Sequence, residues 1–327
     1  MESRILEGRS SKRDTGGISI IIPLFNKEQT IRETLTRLID AAPSPNEIIV
    51  VDDGSTDSSY AIAREFIDKI TLHRQENAGP SIARNRGAQF AKHSHLIFLD
   101  ADDYLLPGIC QEHLRLREIF PETGLTCVSF EVKDLTSDNT ERHILTHRTE
   151  KTKELMEVKI ENLDFRFIEN IAAGSFCVDR DIFLKAGGFD ESLRIWEITD
   201  AMIRFRLKAK HQAISAKVLC RINRDSQNSQ FNRTVNNNEQ YTHYSRKLLQ
   251  YSESFTDRDK FRVAQEVVFC LNRLWVARSF KCMSGLMDEA LKVLGPAYFK
   301  DVSPKVKLTS KALSFFCTKG QSLDAKS

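Results

Sequence analysis

"EIIVVDDGSTDSS" occupies residues Glu47 to Ser59, and its reading decides the fold. Ile48 to Val51 is an apolar run without polar alternation, the pattern of a strand covered on both faces in a parallel sheet. The run stops on two adjacent carboxylates, Asp52 and Asp53, followed by a glycine and small hydroxyl residues. Open α/β sheets bind ligands at the carboxyl ends of their strands, so a buried strand ending on acids predicts a site there. The plainer alternative is helix capping. Ser55, Thr56 or Asp57 can cap the helix expected over Ser58–Ile67. Both readings hold together if Asp53 faces a ligand and Asp57 lies nearer the cap.

The same grammar repeats on both sides. "ISIII" (Ile18–Ile22) is a second buried strand, ended by Pro23. A helix is expected over Glu28–Ile39, because Ile31, Leu35, Leu38 and Ile39 share one face. A short strand over Ile70–His73 and a helix over Ser81–Ala91 follow, and then "HLIFLD" (His95–Asp100), a strand that again ends in acid. Strands and helices alternating at short period predict an α/β domain with a mainly parallel central sheet flanked by helices. Three strand ends, Pro23–Asn26, Asp52–Asp57 and Asp100–Asp103, are then expected on one edge.

Further along, a strand is expected over Leu125–Val132, a loop or hairpin over Asp134–Lys153, and a strand over Ala172–Val178. Gly187–Leu193 is a glycine-rich turn and Asp200–Lys208 a helix. From Asn238 helical patterns dominate, notably Phe261–Phe280 with Val267, Leu271, Leu274 and Arg278 at helical spacing. The expected organisation is a polar, disordered tail over 1–17, a domain over 18–237 and a helical extension over 238–327.

Composition narrows the class. The 327 residues carry 48 Lys and Arg against 45 Asp and Glu, a net charge of +3, which does not call for nucleic acid as a partner. The seven cysteines form no C-x-x-C pair, which fits reduced thiols in a cytoplasmic protein. No apolar run reaches the ~18–20 residues of a membrane-spanning helix. Peripheral contact with a membrane is the most that the chain suggests. Lys305–Lys319 mixes four lysines with Leu313, Phe315 and Phe316, and could touch an anionic surface or pack on its own protein.

The chemistry starts at Asp100-Ala-Asp102. Residues i and i+2 of an extended segment point to the same side, so two carboxylates can reach one ligand. Such hard oxygen ligands suit Mg²⁺ or Mn²⁺, which in turn bind phosphate oxygens. A lone D-x-D is common as a solvated loop; one that closes a buried strand needs a partner for its charge. In "ENAGPSIARNRG" (Glu76–Gly87), Gly79-Pro80 marks a turn, and Arg84 lies about one turn into the following helix, able to face a diphosphate or to form a surface salt bridge.

Taken in order, "SIIIPLFNKEQTIRETLTRLI", "EIIVVDDGSTDSS", "NAGPSIARNRG", "LIFLDADDYLLPG" and "GGFDESL" resemble the family 2 glycosyltransferases, inverting enzymes of the GT-A fold. The resemblance covers roughly residues 18–230 and leaves the helical extension outside. It implies a nucleotide-diphospho-sugar donor, with a UDP-sugar the comfortable choice. It implies Pro23, Phe25 and Asn26 lining the base pocket and Asp53 binding base or ribose. It places Arg84 near the donor phosphates, Asp102 on the metal (Mn²⁺ or Mg²⁺), Asp100 near ribose or metal, and Asp103 behind them. Gly174, Ser175 and the "GGFDE" turn would sit near sugar and acceptor. The acceptor would be a growing lipid-linked glycan, a surface polysaccharide precursor or a protein.

Two positions depart from the family pattern. Relatives carry Glu-Asp after the "GGFDE" turn, the Asp serving as base; here "RIWEITDAMIRF" has Glu197 followed by Ile198. Ile cannot accept a proton, so Glu197 or Asp200 takes the role, or the chain is a weakened protein that binds sugar nucleotides. Glu197 is favoured, since Asp200 heads a helix and can be a cap. Relatives also carry a His near "RINRDSQNS", where Asn223 stands here. Other classes fit worse. The first strand leads into "PLFNKEQ" rather than the G-x-G-x-x-G of a dinucleotide-dependent oxidoreductase, and no early basic glycine loop marks a nucleotidyltransferase. The membrane helices and Q-x-x-R-W motif of processive synthases are missing. The helical extension could pair with a second copy, cover an acceptor groove or contact a partner.

Overall fold

A computed structural model describes residues 16–41, 45–137, 139–145, 155–159, 171–209, 211–224, 238–295 and 297–300. The expected tail, apart from its last two residues, and the Lys305–Lys319 segment lie outside them. The chain forms two compact units. The first comprises Met1–Ile160, Asn170–Glu191 and Ile203–Ser226, and the second Glu161–Glu169, Ser192–Met202 and Gln227–Ser327.

The first unit is built on one sheet. Its opening half follows the expected alternation: β1 (Ile18–Leu24), α1 (Ile31–Asp40), β2 (Glu47–Asp52), α2 (Ser59–Arg64), β3 (Thr71–Arg74), α3 (Pro80–Phe90) and β4 (His95–Phe98). These strands lie in the order β3-β2-β1-β4, all parallel, so their carboxyl ends share one edge as the sequence requires. Ile20, Ile22, Val50 and Ile97 are buried in a common core with Leu35 and Leu38 of α1. Burial on both sides explains why these strands show no alternation.

The second half is mixed. It adds β5 (Tyr104–Leu105), α4 (Ile109–Ile119), β6 (Thr123–Asp134), β7 (Thr140–His143), β8 (Leu155–Lys159), β9 (Phe176–Asp179), α5 (Arg180–Lys185), the part of α6 (Glu197–Lys208) from Ile203 onward, and β10 (His211–Arg224). The order continues β4-β9-β6-β10-β5, with β9 antiparallel to both β4 and β6, and β10 parallel to β6. The hairpin alternative for the Asp134–Lys153 stretch is realised in part, since β7 folds back on β6 from Phe130 to Lys133.

In the second unit α7 (Asn238–Tyr251), α8 (Asp257–Val276), α9 (Phe280–Leu294) and α10 (Ala297–Lys300) pack together. Val267, Leu271 and Leu274 of α8 are buried with Leu248, Met283, Leu286 and Met287, the face their spacing predicts. The helix ends earlier than expected. Arg278 lies beyond it with φ +56°, a left-handed conformation that stops helical propagation. Ser192–Met202 groups with these helices.

Candidate active site

Two loops at the shared edge are stitched to each other. After β1, Asn26 takes φ +51°, a conformation for which Asn is better suited than most residues. Its backbone N–H donates to Ser55 Oγ at 3.1 Å, and its Oδ1 accepts from the Thr56 N–H at 2.9 Å. The Lys27 N–H donates to Ser59 Oγ, and the Ser58 N–H to Glu28 Oε2. The hydroxyls and acids of "DGSTDSS" therefore hold the loop after β1. Pro23 is half-buried; Phe25 and Asn26 are exposed beside this seam.

Asp52 and Asp53 are both buried. Asp52 Oδ2 pairs with Arg74 at 3.1 Å. Asp53 is more heavily engaged. Its Oδ1 accepts from Gln75 Nε2 at 2.7 Å and the Ala78 N–H at 2.8 Å, and its Oδ2 accepts from the Gly79 N–H at 2.8 Å. It thus clamps the "NAGP" turn that launches α3. Gly79 has φ +101°, which only glycine adopts without strain.

From α3, Arg84 reaches back to the end of β4, and its Nη2 donates to Asp100 Oδ1 at 2.6 Å. Only 3% of the Arg84 side chain is exposed, against 39% for Asp100. The guanidinium also stands 5.3 Å over the Phe189 ring. Asn85 grips the glycine turn. Its Nδ2 donates to the Phe189 carbonyl and its Oδ1 accepts from the Phe189 N–H. A side chain at Gly188 would meet Asn85 Oδ1 at 2.6 Å, and φ there is +66°.

Asp102 pairs with Lys27. Lys27 is the residue that sequence reasoning missed, although β1 and β4 are neighbours and their ends must meet. The Ala101 carbonyl accepts from Thr30 Oγ1 at 3.0 Å and Thr34 Oγ1 at 3.1 Å, so α1 braces the acidic loop. Asn223 braces it from β10, donating its N–H to Asp103 Oδ1 at 2.9 Å and its Nδ2 to the Asp102 carbonyl at 2.6 Å. Asp103 is buried. Burial first, then the charges of Asp100 and Asp102, push its carboxyl well above the usual range, against the Asn223 N–H and Lys27. Ahead of Asp103, the carboxylates of Asp100 and Asp102 are matched by the cations of Arg84 and Lys27.

Gly174 and Ser175 do not present side-chain chemistry. Both are buried, and the Ser175 hydroxyl bonds back to Ala172. A Cβ at Gly174 would stand 2.7 Å from Cys220 Sγ.

The two base candidates lie in the second unit. Glu197 opens α6 and is half-buried. Asp200 has no exposed surface. It accepts from Tyr251 Oη at 2.8 Å and pairs with Lys247 at 3.1 Å. Asp200 is thus a buried carboxylate already held by a hydroxyl and a cation.

The family model for glycosyl transferase family 2 matches residues 19–183, half of the chain. The chain belongs to glycosyltransferase family 2. As a family 2 member it is 30% identical over 213 residues to the uncharacterized glycosyltransferase EpsJ of Bacillus subtilis, covering 62% of this chain and 58% of that protein. It is 29% identical over 235 residues to the minor teichoic acid biosynthesis protein GgaA of the same organism, covering 69% of this chain and 51% of that protein. With the uncharacterized glycosyltransferase YibD of Escherichia coli it shares 41% identity over 96 residues, 28% of each. The chain therefore spans little more than half the length of these relatives at most. Among solved structures, Staphylococcus aureus TarS 1–349 in complex with UDP-GlcNAc superposes with a TM-score of 0.59 at 18% identity, covering 89% of this chain and 82% of that one. The shared architecture is the GT-A fold with a helical C-terminal part. Among the described residues no helix is long and apolar enough to cross a membrane.

Proposed function

We propose that this family 2 chain moves a sugar from a nucleotide-diphospho-sugar, a UDP-sugar, to an acceptor hydroxyl with inversion, acting from the cytoplasm in the synthesis of a surface polysaccharide or related glycan. One observation carries the reading. The half-buried acids Asp100 and Asp102 follow β4 and pair with Arg84 and with Lys27 of the loop after β1. The relatives named for glycosyl transfer and teichoic acid biosynthesis support it.

Among the described residues no group of three or more His, Cys, Asp or Glu converges as a cation cage. A cation at this loop would be held through one or two carboxylates, with the donor's own phosphates completing the shell. Asp102, with Asp100 beside it, would hold Mn²⁺ or Mg²⁺. When bound, the ion neutralises charge developing on the departing diphosphate. Arg84 and Lys27 would supply the cations for phosphate oxygens, and the Phe25 ring would offer a stacking face for the base. Asp53 shapes the base and ribose pocket by holding the Gln75–Gly79 turn. Glu197 takes the proton of the acceptor hydroxyl as it attacks the anomeric carbon from the face opposite the diphosphate, and a single displacement inverts that centre.

The test is calorimetric titration of UDP and a panel of UDP-sugars with and without Mn²⁺, paired with assay of released UDP. Metal-dependent binding that disappears in Asp102→Ala, with turnover lost but binding retained in Glu197→Gln, is the expected result. Binding with no turnover for any donor and acceptor would return the chain to a sugar-nucleotide-binding role. Absence of binding to any donor would sink the proposal.

A further inference from the structure

The family match ends at residue 183, yet the segment with the candidate base is held by a helix more than fifty residues further on. On α7, Gln240, Tyr244, Lys247 and Tyr251 are spaced by four, three and four, which places them on one face. Every one of them touches Ser192–Asp200. Gln240 accepts the Arg194 N–H at 2.6 Å and donates to the Ser192 carbonyl at 2.9 Å. Tyr244 stacks on Trp196, with ring centroids 4.7 Å apart and planes 9° apart, and Tyr241 meets the same ring edge-on. Lys247 and Tyr251 close on Asp200, three residues beyond Glu197.

The backbone they hold is unusual. Trp196 has φ +61°, and a bulky residue in the left-handed region persists only where its surroundings enforce it. Trp196 immediately precedes Glu197, so this one dihedral sets the direction in which α6 starts.

We propose that α7 is the positioning element of the base segment: Gln240, Tyr244, Lys247 and Tyr251 hold Ser192–Asp200 so that Glu197 keeps one placement. The inference rests on the reading of Glu197 as the base. It assigns the C-terminal helices a part in catalysis without placing any of their residues on the substrate. Misplacing a base by about an ångström is enough to lower a rate ~100-fold.

Two readouts separate the inference from the functional reading. In kinetics, Tyr251→Phe, which removes one hydroxyl and keeps the ring, should lower kcat about tenfold while the donor KM and the affinity for UDP stay within about twofold. Lys247→Met should lower kcat further, and Lys247→Arg, which keeps the cation, should recover most of it. Should Lys247→Met fail to fold, Tyr251→Phe and Lys247→Arg still decide. In spectroscopy, Trp275→Phe leaves Trp196 as the sole tryptophan. In that background the Trp196 emission maximum and anisotropy should change in Tyr251→Phe without any substrate. Unchanged kcat in Tyr251→Phe, or equal loss of kcat and of UDP affinity, overturns positioning, and so does Trp196 emission indifferent to the α7 variants. If the unmodified protein turns over no donor while Trp196 still responds, the functional reading fails and the structural coupling remains.

Discussion

Asp53 shows how the sequence can mark a residue's position without marking its partners. Its position after β2 was legible, because an apolar run that ends on acids marks a strand end. Its partners were not, because Gln75, Ala78 and Gly79 arrive from a later turn. Asp53→Ala leaves the buried Gly79 N–H without its acceptor, and an unsatisfied buried donor costs about 1–3 kcal/mol. We expect urea unfolding of the nucleotide-free protein to show a loss of about 2 kcal/mol or more. A residue serving only as a ligand contact would leave that stability unchanged. Lys27 was missed for a related reason. A lysine in "PLFNKE" looks like solvated surface until the adjacency of β1 and β4 brings it to Asp102. Asn223 stands where relatives carry a His, and its bonds to the Asp102 carbonyl and the Asp103 carboxylate make it a brace.

At the scale of elements, the first four strands and three helices were readable because burial on both faces removes polar residues from the strands and helical period shows in α1. β10 was not, and the physical reason lies in its register. Its pairing with β6 shifts between Ser215 and Val218 and again before Cys220, so "HQAISAKVLCRINR" keeps no constant alternation. The packing of α3 on β1 offers the sharpest test. A Cβ at Gly87 would stand 2.4 Å from Ile21 Cγ2, a stiff β-branched group of the strand. Replacing a helical glycine by alanine gains about 1 kcal/mol of propensity, whereas overpacking costs about 1–3 kcal/mol. At so short a distance the clash wins and α3 must shift, taking Arg84, one turn earlier, away from Asp100. Gly87→Ala should lower the unfolding midpoint and weaken UDP binding together. A second element-scale expectation concerns α7: Lys247→Met strands the buried Asp200 carboxylate, and losing one partner of a buried pair costs about 3–5 kcal/mol. Thermal unfolding read by tryptophan fluorescence would register this, since Trp196 and Trp275 both belong to the second unit.

Over the whole molecule, near-neutral net charge gave little to read, and the response to acid comes from groups that the sequence did not mark. His113 on α4 is fully buried, with Nδ1 2.8 Å from Thr126 Oγ1 and, among the described residues, no hydrogen-bond partner for Nε2. Burial first, then the positive charges of Arg117 and His95, hold its imidazole well below the usual histidine range. The adjacent Glu112 is also buried. Burial raises its carboxyl, but bonds from Lys217 and Ser215 outweigh that and leave it below the ordinary value. The sign is the same for both. Each binds its proton less readily folded than unfolded, so each contributes stability that is present at neutral pH and is lost as pH falls. The windows differ. His113 acts below about 6.5, the unfolded value for histidine, and Glu112 only below about 4.3. Between pH 7 and pH 5 His113 should therefore dominate, and the sheet unit should lose about 1–2 kcal/mol, since one proton per pH unit is worth 1.36 kcal/mol. Both tryptophans lie outside that unit, so urea unfolding at the two pH values has to be followed by far-UV circular dichroism. His113→Gln, which cannot take up the proton, should flatten the dependence over that range and leave the steeper loss below pH 4.5 in place. A slope unchanged in His113→Gln would move the acid sensitivity to other groups and show that the imidazole is accommodated charged.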